Sequence, residues 1–319
     1  MYTLRGVAIC FAIFFILYSA LSAVVILVWR KVWSYGQKHS PRKCSDLLFA
    51  LRMSPLVIAL IVTFALALPS FVIFEPRAAD ESISPLLPLL AACGIAVVLS
   101  GIWKSATALR RISKTLAHWK TGAQVLGRRP AGFDSFVFVL RTPAPAPPLT
   151  AAGIVRPSVW LSTAAEPLLT ESEWHSALRH ELVHVRRRDN LKKLFLRLVA
   201  VPGMAGLESA WREITEMAAD DGAVSSASEA LDLAAAVIKL SRLSSSHPPV
   251  ELATSLVNSP AEAVSARVTR LLAWSEVRRP ARAYSWKYVL FPLATSAALV
   301  LTYGNLLVRV HAATEWLVR

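Results

Sequence analysis

The chain has 319 residues, of which 55% are hydrophobic, and a formal net charge of +14. A mean hydropathy of +0.47 excludes an ordinary soluble domain and points to several membrane spans. The basic excess would suit nucleic acid, but it clusters beside apolar runs, as the positive-inside rule describes, and no helix-turn-helix pattern accompanies it; direct nucleic-acid binding is not expected.

Four uncharged runs are long enough to cross a bilayer. The first is Gly6 to Trp29, which we read as a retained helix and not a cleaved leader, because Trp29-Arg30-Lys31 is no small-residue cleavage site. The others are Met53 to Phe74, Pro85 to Trp103 and Tyr288 to Val308. Prolines 55, 69 and 292 lie inside these runs, as membrane helices tolerate. The loop after the first span carries Arg30, Lys31, Lys38, Arg42, Lys43 and Arg52 against Asp46, and the third span is followed by Lys104, Arg110, Arg111, Lys114 and Lys120. The loop after the second span carries Glu75, Asp80 and Glu81 against Arg77, and Arg278, Arg279, Arg282 and Lys287 precede the fourth span. This charge pattern places the loops after spans one and three in the cytoplasm and both termini outside. The expected domains are 1–103 with three spans (6–29, 53–74, 85–103), 104–287 as a cytoplasmic domain, 288–308 as the fourth span, and 309–319 as a short external tail. Cys10 and Cys93 lie in apolar runs and Cys44 in a basic loop, with no spacing that predicts a disulfide framework or a cysteine metal site.

Within the cytoplasmic region, Lys104 to Thr121 is a basic helical stretch, either an extension of the third span or an amphipathic helix on the anionic leaflet. Phe133 to Arg141 reads as a strand, Thr142 to Pro148 as a Pro-rich link, and Ala152 to Ser162 as a strand pair with Pro157 at an edge or turn. Thr170-Glu171-Ser172-Glu173 fits a capping box, and Trp174, Ala177, Leu178 and Leu182 follow at helical spacing. That helix is expected to end at Asp189-Asn190. Further helices are expected over Asn190 to Val201, Leu207 to Ala219, Glu229 to Leu243 and Ala261 to Arg279, with Ser244 to Pro249 as a loop.

The helix begun at Thr170 carries His180-Glu181-Leu182-Val183-His184, an H-E-x-x-H pattern. Positions i and i+4 share a helix face, so two imidazoles can hold one zinc ion, and the adjacent glutamate can take a proton from its bound water. The bland alternative is a surface helix rich in His and Arg. A catalytic zinc site needs a third protein ligand and an open fourth position. Glu213, Glu216, Asp220 and Asp221 lie on the next but one helix; Glu216 is the preferred ligand, and Asp220, on the same face, is placed to accept an N–H from a ligand histidine. The strand near Val155 to Leu161 is expected to pair with an extended substrate. His247 is read as a solvated loop residue sooner than as the group that stabilises an oxyanion.

Three segments carry a resemblance: Gly153-Ile154-Val155-Arg156-Pro157, His180 to Asn190, and Glu216-Met217-Ala218-Ala219-Asp220-Asp221-Gly222-Ala223-Val224, with Arg267-Val268-Thr269-Arg270-Leu271-Leu272 as a fourth. Together they resemble the BlaR/MecR-type antirepressor family of membrane zinc metallopeptidases, over about residues 85 to 275 and in the arrangement of spans. The resemblance implies an α-helical membrane protein with four transmembrane helices and a cytoplasmic α+β, zincin-like (gluzincin) metallopeptidase domain inserted between helices three and four. It implies Zn2+ on His180, His184 and Glu216, Glu181 as catalytic base, and supporting roles for Asp189 and Asp220. It further implies a place in a bacterial inner membrane among lipid. The implied protein substrate is a helix-turn-helix repressor, reached directly or indirectly, and the likeness admits self-cleavage and a homodimer. Ala219 stands where many relatives have Cys, at what reads as a packing position. The sequence ends at Arg319, without the penicillin-binding sensor domain of the β-lactam receptors, so β-lactam sensing by acylation is not expected. Two alternatives share features of the pattern: a CAAX-protease or HtpX-like quality-control peptidase, and a non-proteolytic transducer with structural zinc.

Overall fold

The computed structural model describes residues 2–75, 84–126, 137–143, 145–198, 202–244, 252–256, 261–274 and 302–315. The chain is mostly helical, with one small mixed sheet. It divides into two compact units. One comprises residues 1–27, 53–100 and 278–319; the other comprises residues 28–52 and 101–277.

Among the described residues, three helical stretches are long and apolar enough to cross a membrane: α1 (Tyr2–Gly36), the continuous stretch Pro41–Phe74, and α4 (Leu86–Lys120). Each covers an expected span, less Pro85 of the third, and runs past it at one end or both. Nothing between Trp29 and Gly36 breaks a helix, so α1 continues through the basic residues where the apolar run stops. α4 likewise absorbs the basic stretch after Trp103, which is thus an extension of the third span. Of the fourth expected span only 302–308 falls within the described residues; it is helical, as are the residues up to 315.

The stretch Pro41–Phe74 is α2 (Pro41–Val62), a single π turn at Thr63–Ala67, and α3 (Leu68–Phe74). Pro69 explains the irregularity. Its nitrogen carries no hydrogen, so the carbonyl of Ala65 loses its helical donor. The hydroxyl of Tyr303 donates to that oxygen at 2.7 Å instead. In the same unit Ile9, Ala12, Phe71 and Leu87 form a buried cluster, and Arg5 pairs with Glu75 at 3.1 Å.

The second unit holds a five-stranded sheet in the order β1-β2-β4-β3-β5. The strands are β1 (Gln124–Val125), β2 (Phe138–Thr142), β3 (Leu149–Ala152), β4 (Ser158–Ser162) and β5 (Ala253–Ser255). β2 and β4 are parallel and the other three pairings antiparallel. The expected strand pair is therefore present, but its first strand is Leu149–Ala152, which begins just after the Pro-rich link and ends where the pair was expected to start. The turn between β3 and β4 needs Gly153, which sits at φ +104°, where an added Cβ would come within 2.9 Å of the Arg156 carbonyl oxygen.

One expectation is overturned by this order. β4 lies between β2 and β3, so both its edges are occupied and it cannot add a substrate strand. The two edge strands among the described residues are β1 and β5.

Among the described residues, the unit also holds five whole helices beside the parts of α1, α2 and α4 that fall in it: α5 (Glu171–Arg187), α6 (Asp189–Leu198), α7 (Ala205–Ala223), α8 (Ala227–Ser244) and α9 (Ala261–Leu272). The loop expected after Ser244 and the end of the helix expected to reach Arg279 lie outside the described residues. Trp174, Ala177, Leu178 and Leu182 on α5 share one core with Val139, Leu149, Val159 and Leu161 of the sheet and with Leu233, Val237 and Leu240 of α8. Burying each large aliphatic side chain contributes about 1.5–3 kcal/mol. α5 is thus clamped between sheet and helix, and its opposite, polar face meets α7.

Candidate metal centre

α5 starts where the capping box predicts. Thr170 Oγ1 accepts from the backbone N–H of Glu173, and Glu173 Oε2 accepts from the N–H of Thr170 at 2.8 Å. Lys239 holds the same carboxylate at 2.7 Å. The start of the helix is therefore doubly anchored, and His180, Glu181 and His184 occupy its rigid, buried middle.

The end of α5 departs from expectation. Asp189-Asn190 does not close this helix; Arg188 does, in the left-handed conformation at φ 54°, and Asp189 opens α6. This reversal folds Asp189 back onto the preceding turn, where its Oδ2 lies 2.7 Å from His184 Nδ1. Asn190 uses its Nδ2 to hold the carbonyl of Ala151 at 3.0 Å, tying α6 to β3.

α7 brings the acids. Of the four acidic candidates, Glu213 is exposed and Asp221 pairs with Arg270 on α9 at 2.6 Å. Glu216 and Asp220 face α5. Asp220 Oδ1 lies 3.0 Å from His180 Nδ1, and Glu216 lies 3.4 Å from His180 Nε2 and 3.5 Å from His184 Nε2. The structure thus brings together every residue the sequence singled out for the metal and its support: His180, Glu181, His184, Glu216, Asp189 and Asp220. His247 lies outside the described residues.

The imidazoles are oriented alike. Each turns Nδ1 toward a carboxylate, which favours the hydrogen on that nitrogen. The two Nε2 atoms then face each other with their lone pairs, 3.2 Å apart. One ligand atom from each of His180, His184 and Glu216 lies within 4.8 Å of the others. Two lone pairs and a carboxylate converging on one point repel one another unless a cation lies between them. In a tetrahedron with bonds of 2.0–2.1 Å, donor atoms stand about 3.3 Å apart. The Nε2–Nε2 separation of 3.2 Å fits that figure, and one oxygen of Glu216 lies 3.4 Å from His180 Nε2 while its other oxygen lies 3.5 Å from His184 Nε2. The donor set of two nitrogens and one carboxylate, buried and backed by carboxylates, fits zinc.

The electrostatics follow from the same contacts. Burial opposes charge on Glu216, yet His184, His180 and Arg267 hold its carboxyl well below the usual range. Asp220 is likewise buried, and Arg267 and His180 bring it down to about 2. Glu181 has no such cation in contact. Burial pushes its carboxyl up to about 6, against the pull of the two histidines and of the Ala151 N–H that donates to its Oε2 at 2.8 Å. A carboxylate balanced near neutrality is suited to accepting and returning a proton.

Two residues of the centre carry no motif of their own. Arg267, on α9, is buried and donates to Asp220 through Nε at 2.8 Å and Nη2 at 2.7 Å. Its Nη1 meets Glu216 at 3.2 Å and the Leu256 carbonyl at 2.7 Å. It lies within the Arg-containing segment of the resemblance, which is the one sequence signal for it. Lys193, on α6, points its ammonium at the Ala253 carbonyl of β5 at 2.6 Å. Nothing in the pattern of α6 marks it.

Compared with protein-family models and with curated protein sequences, the chain matches none.

Proposed function

We propose that the chain is an integral membrane zinc metallopeptidase with a cytoplasmic zincin-like domain between its third and fourth spans. The observation that carries the reading is the pair of Nε2 atoms 3.2 Å apart, each ring backed at Nδ1 by a buried carboxylate and both facing Glu216. Zinc bound by His180, His184 and Glu216 would polarise a carbonyl and lower the pKa of water. Glu181 accepts the proton of the attacking water as the water oxygen bonds to the peptide carbonyl carbon, then returns it to the amine nitrogen as the C–N bond breaks. Asp189 and Asp220 hold the two rings in one tautomer and one orientation. The buried core on α5 keeps the histidines from turning away.

The regulatory role proposed is that of an antirepressor protease in transmembrane signalling, of the BlaR/MecR kind, cleaving a cytoplasmic protein such as a helix-turn-helix repressor. The resemblance of four segments supports it, and so do three helices long and apolar enough to cross a membrane, which we take to be a bacterial cell membrane. The first test is metal content and hydrolysis of fluorescein-labelled casein by the detergent-purified full chain. Expected are one zinc per chain, cleavage that 1,10-phenanthroline stops, and cleavage at least about 100-fold slower in Glu181→Gln at full zinc occupancy. Full zinc with no cleavage by the unaltered chain would favour the non-proteolytic transducer.

A further inference from the structure

Among the described residues, no carboxylate neutralises the charge of Lys193 at contact distance. Its single hydrogen bond goes to the carbonyl oxygen of Ala253, and among the described residues no carboxylate pairs with it. An ammonium has three N–H donors, so donors remain. The side chain is partly buried. Burial draws its pKa below the ordinary lysine value, and the carboxylates of Glu216, Asp189 and Glu181 are the charges that favour its proton. These are a metal ligand, the support of a metal ligand, and the base. A partly desolvated cation with no carboxylate in contact among the described residues, in the field of the site's own acids, is costly unless negative charge arrives there.

The acceptor it does hold is informative. Ala253 pairs with Ala152 on β3, and the next residue, Thr254, pairs with Ala151. Ala151 is the residue whose N–H donates to Glu181 Oε2, and Thr254 Oγ1 is 3.5 Å from that same oxygen. Extended backbone therefore runs past the base, and the carbonyl one residue along rests on the ammonium of Lys193. A donor aimed at a peptide carbonyl oxygen beside a general base is what attack on that carbonyl requires. The neighbouring arginines are already committed: Arg267 to Asp220, Glu216 and Leu256, and Arg187 to Asp189, Asp46 and Ser45.

We propose that Lys193 stabilises the oxyanion formed when a substrate peptide carbonyl is attacked in this site; the proposal rests on the metallopeptidase reading above. As water oxygen bonds to the carbonyl carbon, Glu181 takes the water's proton. The C=O π pair moves onto oxygen, and the charge that develops there accepts an N–H of Lys193. On collapse that pair reforms the carbonyl, the C–N bond breaks, and the proton on Glu181 passes to the amine. Lys193 keeps its proton throughout and acts as a charge.

The test uses the zinc-loaded full chain, unaltered and as Lys193→Met, Lys193→Arg and Lys193→Gln, with two zinc-directed probes. N-phosphoryl-Leu-Trp presents a tetrahedral anionic phosphoryl group; mercaptoacetyl-Leu-Trp binds metal through sulfur and presents no tetrahedral oxyanion. The expected result for Lys193→Met is a roughly 100-fold loss of phosphoryl-peptide affinity. Thiol-peptide affinity stays within about twofold and zinc content is unchanged, while Lys193→Arg regains part of the loss. Lys193→Gln, which keeps a donor without the charge, carries the comparison if Lys193→Met does not fold. Equal losses for both probes, or no loss for either, overturn the oxyanion role and leave Lys193 as a staple between α6 and β5. If neither probe binds the unaltered zinc-loaded chain, the metallopeptidase reading falls, and this proposal with it.

Discussion

Asp189 opens one helix and grips a histidine of the helix before it, its Oδ2 2.7 Å from Nδ1 of His184. Asp220 does the same for His180 from α7, at 3.0 Å. Both carboxylates are almost wholly buried, so their contacts are specific. Replacing either with Asn keeps the shape and removes the charge that makes the ring a better donor to metal. Asp189→Asn and Asp220→Asn are each expected to weaken zinc binding about 10–100-fold. Competition with a fluorescent chelator measures this directly, and unaltered affinity in both variants would remove Asp189 and Asp220 from the metal centre.

Arg267 joins α9 to the acids of α7, and it is 2% exposed. Removing it leaves Asp220 and Glu216 buried with one cation fewer. Breaking a buried pair in this way costs about 3–5 kcal/mol. Arg267→Met should lower the thermal stability of the detergent-purified chain accordingly. Adding Asp220→Asn to Arg267→Met should restore part of it, since the uncompensated charge is then gone. Strictly additive losses in the double variant would show that the two side chains do not interact.

Parts of this centre are legible in the sequence for local reasons. A capping box, an i, i+4 histidine pair and an i, i+4 acid pair are short-range patterns, and helices preserve short-range spacing. Hydropathy marks three apolar helices because a bilayer-sized run is itself local. What escaped is non-local or atypical. β5 is three residues long and shows no alternation; only its pairing with β3, about a hundred residues earlier in the chain, makes it a strand. β4 reads as an available strand because edge and centre positions depend on neighbours the sequence does not reveal. α5 ends at Arg188 and not at Asp189-Asn190 because Arg188 takes the left-handed conformation that usually announces itself as glycine. The partners of Arg267 and Lys193 come from other elements; the resemblance marks the segment that holds Arg267 but not its partners, and nothing tells Lys193 from an ordinary surface cation.

The β3–β4 turn offers a test of how the sheet serves the base. Gly153 is at φ +104°, and its carbonyl accepts from Asn190 at 3.4 Å. Two residues before it, the Ala151 N–H donates to Glu181. Gly153→Ala should cost about 1–3 kcal/mol from backbone strain. It should also reduce casein hydrolysis more than zinc affinity, because the displaced strand touches the base and not the ligands. A variant that melts and cleaves as the unaltered chain does would contradict that division.

The pH dependence of cleavage follows from Glu181. Burial holds its carboxyl up to about 6, with His184 and His180 opposing. Only the ionised carboxylate can take a proton from water, so kcat/KM should fall as pH drops through the pKa of Glu181. A divalent cation on the neighbouring ligands favours the ionised form further, so the acidic midpoint is expected at or below about 6. Protons also compete with metal for the histidines, and loss of zinc would imitate the same limb. Measuring zinc occupancy over the same range separates the two: the limb belongs to Glu181 if cleavage falls while occupancy holds. Glu181→Gln should lower kcat about 100- to 10,000-fold and abolish the limb in whatever activity remains. An acidic midpoint above pH 7 at full occupancy would mean that another group takes the proton.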